Sequence, residues 1–307
     1  MATGGSRAAG LLALAVAFAV AVCPLVLHLT QRRHDVLPFD LEARYPLSQQ
    51  VPHGEVFAAT VIALMERELS STTGWRPNDF FLWGPGVWAD NNANRQLGII
   101  QAVRESVRVL KDNLTKVSAT QFDPHLVEAD TAFRNDARKL WLPSAESRFR
   151  SGNDALRAYI TGLGATPPTS KPITLRNTEL IRLFQSWTDL LGDAHANLFK
   201  QWEDDGSTVA MWRTDDYFYH AQGFAHVLHH LMLAVKREYA ASVADRPSVL
   251  QLFDEVADAL GRAATLKPLI VLDGQSDGLV ANHRRNLDAY IVEARQKMYS
   301  IRDELEK

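Results

Sequence analysis

The feature that most constrains this chain is an apolar stretch at residues 8–29. It reads AAGLLALAVAFAVAVCPLVLHL, twenty-two residues without Asp, Glu, Lys or Arg. An α-helix of that length spans about 33 Å, which is enough to cross the hydrocarbon core of a bilayer. We therefore expect residues 1–30 to form a short tail and one transmembrane anchor, which precedes a long domain.

The stretch favours a retained anchor over a cleaved signal. Secretory signals have an apolar region of about 7–15 residues that ends in a small-x-small site. Here a triplet of this kind, at residues 17–19, lies inside the apolar run. Cys23 would suit a lipoprotein, but the preceding Val22 is bulky where a small residue is expected. We therefore interpret Cys23 as a small apolar residue of the anchor.

The side of the membrane on which the domain lies is set by competing signals. Arg32 and Arg33 follow the stretch, whereas Arg7 precedes it, which favours a cytoplasmic domain. Cys is absent after Cys23, which suits an oxidising compartment. A short tail before one apolar helix is also how an exported domain begins. We favour a single-pass protein with a periplasmic domain.

Composition excludes several classes of function. The chain is 46% hydrophobic and 22% charged, as in globular proteins, and its net charge of −3 gives no attraction to nucleic acid. A single Cys excludes disulfides within the chain and any zinc or iron–sulfur site built from several cysteines. We expect no nucleic-acid partner and no cofactor.

Helical periodicity dominates the chain after the anchor. Apolar residues recur in threes and fours at 97–117, 180–202 and 287–305, and further helices are expected at 55–69 and from 123 to about 141. We predict an all-α fold, a bundle of long helices that forms one or two halves. A Pro-containing spacer at 31–54 leads to a helical subdomain at 55–164. A Pro-rich linker at 165–172 then joins it to a second helical subdomain at 173–307.

Smaller features refine this division. Ser144 is predicted to cap a helix, since an acid follows in the first turn. A helix is expected from about residue 214 to 244 and another from 248 to 265. The β-branched run at 268–272 predicts a buried extended piece, and the last helix is expected to start near Leu279.

Residues 75–95 form an aromatic loop with turn chemistry at Pro77 and Gly84. One interpretation is a surface for a protein partner or for the bilayer interface. The other is a loop whose rings close the end of a helix bundle. The candidate partner-binding residues are Trp75, Phe80, Phe81, Trp83 and Trp88.

A histidine-rich segment at 220–230 is the candidate metal site. His226 and His230 are four residues apart, so they share one helix face and could chelate one ion of zinc or another transition metal. Asp216 is the preferred third ligand, with His195 and His283 as alternatives. The pattern lacks the Glu of the HExxH motif. Apolar residues interleave with the histidines, which favours a structural role.

A second polar segment lies at 273–278. It begins like a calcium-binding loop, but Arg284 stands where the closing Glu would be. We interpret it as a turn. Asp277 and His283 are kept as candidate site residues, with His283 expected in a polar network at a helix N-terminus.

Four segments together resemble a known family. They are GWRPNDFF at 74–81, DNNANRQLGI at 90–99, WLPSAESRF at 141–149 and PLIVLDGQSDGLVANHRRNLDAYI at 268–291. In this order they resemble the proteobacterial domain-of-unknown-function family 2333. The resemblance implies an inner-membrane protein with one N-terminal helix and a helical domain. It carries no established activity, so no catalytic residues are transferred.

Two hypotheses about function follow. The first is a non-enzymatic, membrane-anchored scaffold that contacts lipid through its anchor and binds other membrane proteins of the bacterial envelope. It is favoured because glycine-rich phosphate motifs are absent from the sequence and the sole Cys, a possible nucleophile, lies in the predicted anchor. The alternative is a metal-binding envelope protein that uses the histidine-rich segment.

Overall fold

The described chain is built of α-helices. A computed structural model describes residues 4–31, 40–71, 73–79, 90–116, 121–268, 270–274 and 279–307. These residues form ten α-helices: α1 Gly4–Gln31, α2 Leu41–Arg44, α3 Glu55–Leu69, α4 Asn91–Val109, α5 Pro124–Phe133, α6 Ala145–Leu163, α7 Asn177–Phe199, α8 Met211–Tyr239, α9 Pro247–Thr265 and α10 His283–Glu306. A π-helical turn continues α4, and the described residues add two isolated β-bridges. The predicted all-α fold class is confirmed.

The first helix, α1, covers the stretch that the sequence predicts as an anchor. Leu11, Leu14 and Phe18 on this helix are 69%, 69% and 66% exposed. Within the ranges that the structure describes, no helix has both the length and the apolar character needed to cross a membrane.

Local signals set several helix bounds. The helix α3 begins and ends at the predicted residues. Ser144 caps α6 as predicted, because its hydroxyl accepts a hydrogen bond from the Ser147 N–H at 3.3 Å. Asp123 caps α5 in the same way, with Pro124 in the first helical turn. These bounds follow from residues that are adjacent in sequence.

The helix α5 is shorter than predicted. It ends at Phe133 rather than near residue 141. The Arg104 guanidinium of α4 donates to the carbonyl oxygens of Phe133 and Asn135, each at 2.6 Å. A longer helix would bond such carbonyls to its own N–H groups. A contact from another helix therefore accompanies the end of α5, and the predicted bound is wrong.

One hydrophobic core serves both predicted subdomains. The helix α8, from the second half, packs against α3 and α4 of the first half and against α7 and α9. The main cluster of buried apolar side chains includes Phe57 and Phe149 from one half and Trp187 and Phe253 from the other. In the described chain, residues 165–172 thus connect two parts of one core.

The predicted spacer 31–54 is partly folded onto the domain. Its residues 32–39 lie outside the described ranges. Beyond them, Leu41 and Tyr45 are buried in a small core with α3 and α8. The Arg237 guanidinium of α8 also donates to three backbone carbonyl oxygens of this segment at 2.6–2.9 Å. The prediction of an extended spacer is wrong for the described part, because its apolar residues pack against distant helices.

The second half departs from prediction at its connections. Trp202, which its spacing assigns to the helical pattern at 180–202, lies beyond the end of α7 and is 62% exposed. The helix α10 begins at His283, later than predicted, because the residues before it form a β-bridge. In the predicted buried segment 268–272, Val271 is buried but Ile270 is 66% exposed.

A close crossing joins α4 and α8. A Cβ atom at Gly98 would lie 2.1 Å from a carbonyl oxygen of α8, and one at Gly223 would lie 2.2 Å from a carbonyl oxygen of α4. Glycine at both positions therefore lets the two backbones touch. The Asn94 side chain near the start of α4 contacts Asp216 near the start of α8. The two helices thus run in the same direction, and both begin at one end of the bundle.

Candidate functional site

Arg284, near the start of α10, contacts the end of α7 and the start of α8. These three helix ends lie at the same end of the bundle. Its guanidinium donates to the carbonyl oxygens of Asn197 and Lys200 at 3.0 and 2.7 Å, and to the Asp273 carboxylate at 3.0 Å. It also lies 5.9 Å from the ring centroid of Tyr217 on α8. Because α4 begins beside α8, the loops around both helix starts meet at this end.

Exposed apolar side chains are concentrated at this end of the bundle. Outside α1, the structure describes thirteen exposed large apolar residues, and nine of them belong to loops or helix ends here. Three of the nine are tryptophans. We call this region the aromatic end and define it by Leu140, Trp141, Leu142, Phe199, Trp202, Trp212, Ile270, Leu279 and Val280.

A cleft of about 700 Å³ opens at the aromatic end. Its walls come from the segment before α4, the start of α4, the loop after α5 and the start of α8. The predicted aromatic loop 75–95 thus contributes to the cleft from both of its ends, while residues 80–89 lie outside the described chain. The polar and aromatic lining includes Asp79, Asp90, Asn94, Arg138, Trp212 and Asp216.

Three carboxyl groups interact at one wall of this cleft. Burial, together with the nearby Asp90 carboxylate, raises the pKa of Asp216 to about 7, and the same two causes raise the pKa of Asp215 to about 6. Asp90 is also hydrogen-bonded to Asp216. The Asn94 side-chain amide donates to Asp216 at 2.6 Å. Carboxyl groups in such contact share a proton, since two ionised groups repel. The charge of this wall therefore changes near neutral pH.

Ion pairs fix two of the neighbouring charges. The Arg76 guanidinium is bonded to Asp79, whose pKa is raised by burial and held back by that arginine. Arg213 lies 3.3 Å from Glu203 in the turn before α8. These pairs neutralise part of the charge around the cleft, so the Asp90–Asp216 wall has the larger influence on a bound group.

Trp75 is a core residue and not part of a binding surface. It is 3% exposed, its ring packs edge-on against Phe149 with centroids 5.0 Å apart, and its indole N–H donates to the Ala137 carbonyl at 2.8 Å. The predicted binding role of Trp75 is wrong, because the indole finds apolar contact and an acceptor inside the fold. The candidates that lie outside the described residues, and stay predictions, are Phe80, Phe81, Trp83 and Trp88.

The metal site predicted on the histidine helix does not assemble. The rings of His226 and His230 lie together on α8, with centroids 4.8 Å apart. Asp216 lies about 15 Å further along the helix axis, at the cleft. His195 is instead hydrogen-bonded to Asp288 at 2.7 Å. Among the residues that the structure describes, no group of three His, Cys, Asp or Glu side chains could hold a metal ion.

Three histidines of α8, His220, His226 and His230, are packed into the helix contacts, where burial disfavours their charged form. Burial lowers the pKa of His230 to about 3 and that of His220 to about 4, and it keeps the pKa of His226 well below its ordinary value. His229 donates its Nδ1–H to the Ala257 carbonyl of α9 at 2.8 Å. These contacts support the structural interpretation of the segment.

We expect His230→Leu to lose less stability than the native chain when the pH falls from 7 to 5. Between pH 7 and 5 a histidine in the unfolded chain, with a pKa near 6.5, binds a proton, whereas buried His230 in the folded chain stays neutral. Acid therefore stabilises the unfolded state of the native sequence relative to its folded state. The effect of one such histidine is about 2 kcal/mol at pH 5. Urea unfolding of both proteins at the two pH values measures it.

The native chain must be compared with the His230→Leu variant, because other titrating groups change the stability of both proteins in the opposite direction when the pH falls. The raised pKa values of Asp215 and Asp216 let the folded chain take up protons first, which favours the folded state on acidification. The contributions of Asp215 and Asp216 are the same in both proteins, so they cancel when the free energy of unfolding of the variant is subtracted from that of the native chain. A difference that stays constant from pH 7 to 5 would contradict the neutral, buried state of His230.

The other candidate residues near α10 have structural roles or lie outside the described chain. His283 begins α10; its Nδ1 accepts from the Leu272 N–H at 3.0 Å, and its own N–H donates to the Leu272 carbonyl at 2.9 Å. The expected polar network at a helix N-terminus is therefore present. Asp277 lies outside the described residues.

The contact of Asp216 with Asp90 could not be predicted from the sequence pattern. Asp90 opens one of the segments that carry the family resemblance, yet no local pattern relates it to a residue so distant in sequence. Their contact depends on the crossing of α4 and α8, which Gly98 and Gly223 permit. Glycines within two long helical patterns were the signal that could have indicated this crossing.

Comparisons with known proteins give one family assignment. Searches of curated proteins and of solved structures found no match to the chain. One family model matches residues 4–204 and 174–307, which together cover the chain from residue 4 to its last residue. The resemblance to domain-of-unknown-function family 2333 is thereby confirmed. The chain belongs to the bacterial family described as "Uncharacterized protein conserved in bacteria (DUF2333)".

Proposed function

We propose that this protein is a non-enzymatic scaffold or binding subunit that holds another protein of the bacterial envelope at its aromatic end. The observation that carries the proposal is the concentration of exposed apolar side chains there, nine of the thirteen described outside α1. Single exposed apolar residues are ordinary on protein surfaces. A local group that includes three tryptophans is typical of an interaction surface, where tryptophan contributes strongly to binding energy.

The position of the aromatic end favours a protein over lipid as its ligand. The chain enters the domain at the opposite end of α8, where Arg237 holds the segment that follows α2. At about 1.5 Å per residue, the 29 residues of α8 separate the two ends by roughly 43 Å. The described chain after residue 40 thus joins the domain at the end opposite the aromatic end, which supports a protein as the ligand there.

The proposal includes attachment to the inner membrane through residues 8–29. This stretch contains no Asp, Glu, Lys or Arg, and large apolar side chains such as Leu12 and Val26 are 67% and 53% exposed. Lipid would cover these side chains. The lack of Cys beyond residue 23 supports a domain on the periplasmic side. Extraction of membranes at alkaline pH tests the anchor, since release of the protein would contradict it.

We expect Trp212→Ala and Trp202→Ala to weaken partner binding about 30-fold each, as truncation of a central aromatic contact does. The full-length chain would be purified in mild detergent from its native membrane, and the amount of each co-purifying protein would be compared between native chain and variants. Both side chains are largely exposed, at 78% and 62%, so the folded state should keep its stability.

Matched controls are available at exposed apolar positions elsewhere. Leu47 is 72% exposed near the opposite end of α8, and Tyr299 is 37% exposed on α10. Leu47→Ala and Tyr299→Ala should leave the co-purifying protein in place. Retention of every co-purifying protein by both tryptophan variants would refute the proposed role of the aromatic end.

A further inference from the structure

An exposed indole lies beside the carboxyl groups of the cleft. Trp212 is 78% exposed and lines the cleft together with Leu140 and Asp216. An aromatic face attracts a cation through its quadrupole, and an ionised carboxylate forms strong hydrogen bonds with ammonium or guanidinium groups. Leu140 offers an apolar surface for the methylene groups of a long basic side chain. Ring, carboxylates and apolar wall together match the chemistry of arginine and lysine.

The charge balance of the cleft also favours a cation. Asp90 and Asp216 line it, with Asp215 next to the latter, whereas Asp79 is paired with Arg76. The cations that line the cleft are Arg138 and Arg213. Arg213 is drawn toward Glu203 outside the lining. The described surroundings of the cleft thus carry more carboxyl groups than cations, and a positively charged ligand improves this balance.

We infer that the cleft receives one arginine or lysine side chain of the protein partner, with its cationic group at Asp90 and Asp216 and its methylene groups along Trp212 and Leu140. The inference rests on the proposed function and adds the chemistry of the partner to it. The partner segment carries apolar residues for the aromatic end and a basic residue for the cleft.

Binding of a cation in the cleft is coupled to release of a proton. Asp216 is faced by Asp90 from the residue before α4, by Asn94 from α4 itself, and by Asp215 and Arg213 from its own helix. Burial and Asp90 raise the pKa of Asp216 to about 7. A bound cation favours the ionised form of both carboxyl groups, so affinity should rise about tenfold from pH 6 to pH 8.

A pair of model peptides tests the inference. The full-length chain in mild detergent would be titrated calorimetrically with acetyl-Leu-Arg-Leu amide and with the same peptide in which citrulline replaces arginine. Citrulline keeps the shape of the side chain and removes its charge. We expect the arginine peptide to bind at least tenfold more tightly at pH 8, and this preference to shrink toward pH 6.

Variants locate the binding in the cleft. Asp90→Asn combined with Asp216→Asn should abolish the preference for arginine and its dependence on pH, while an unchanged thermal unfolding curve shows that the chain remains folded. Asp258→Asn, an exposed residue of α9, should retain both. The inference is overturned if the two peptides bind equally, if neither binds at millimolar concentration, or if the double variant keeps the preference.

These outcomes are distinct from failure of the proposed function. If Trp212→Ala loses its co-purifying protein while both peptides bind equally, the aromatic end remains the docking surface and the cation site is refuted. If the tryptophan variants keep every co-purifying protein, the proposed function fails, whatever the peptides show.

Discussion

Gly223→Ala should destabilise the fold by about 3 kcal/mol or more, although the same change in an exposed helix is stabilising. The added Cβ would lie 2.2 Å from the Arg95 carbonyl oxygen of α4. Neither partner in this clash is a flexible side chain, so α4 and α8 must separate. Gly98→Ala should act in the same way, because its Cβ would meet the His220 carbonyl oxygen at 2.1 Å. Urea unfolding followed by circular dichroism measures both effects.

A glycine with free space provides the control for this prediction. Gly164 ends α6 with a negative φ of −83°, and a Cβ there would meet nothing closer than a carbonyl oxygen at 3.8 Å. Gly164→Ala should therefore be neutral or stabilise the chain by up to about 1 kcal/mol. A Gly223→Ala variant as stable as Gly164→Ala would show that α4 and α8 do not cross as described.

The second large effect is expected for Glu238→Ala, at about 3 kcal/mol of lost stability. The Glu238 side chain is 1% exposed, and one of its oxygens accepts from the N–H groups of Gly54, Val56 and Phe57 at 2.9, 3.0 and 3.3 Å. A residue of α8 thereby caps α3, where the helix dipole also favours a negative charge. Without the carboxylate, three donors are left without this acceptor in the interior.

Two comparisons separate the cap from a general effect of removing glutamate. Glu238→Gln keeps one acceptor oxygen and should lose about half as much stability. Glu66→Ala removes a half-exposed partner of Arg157 and should cost less than about 1 kcal/mol. The pKa of His53, which its hydrogen bond to Glu238 raises, should fall in the alanine variant. A Glu238→Ala loss no larger than that of Glu66→Ala would contradict the cap.

Those parts of the fold that depend on adjacent residues could be predicted from the sequence. The bounds of α3 and the Ser144 cap of α6 follow from apolar spacing and from capping chemistry within a few residues. The packing of Leu41 and Tyr45 could not be predicted, because their core is supplied by α3 and α8. Distant contacts decide such segments, and periodicity carries no information about them.

The candidate site shows the same limit. The aromatic loop was recognised by composition, but composition does not distinguish buried Trp75 from a tryptophan at a surface; the Ala137 carbonyl and the Phe149 ring make that difference. The sequence pattern indicates Asp216 as a candidate site residue, but as a metal ligand of the histidine-rich segment rather than as a residue of the cleft. Its contact with Asp90 required the crossing of two helices, which the sequence alone does not locate.

The most direct test of the proposed function is crosslinking in living cells. A photoreactive amino acid would replace Trp212 at the aromatic end and, in a second strain, Leu47 near the opposite end of α8, since both positions are largely exposed. Binding at the aromatic end predicts that one envelope protein is crosslinked from position 212 and not from position 47. Crosslinks from position 47 alone, or the same products from both positions, would contradict it.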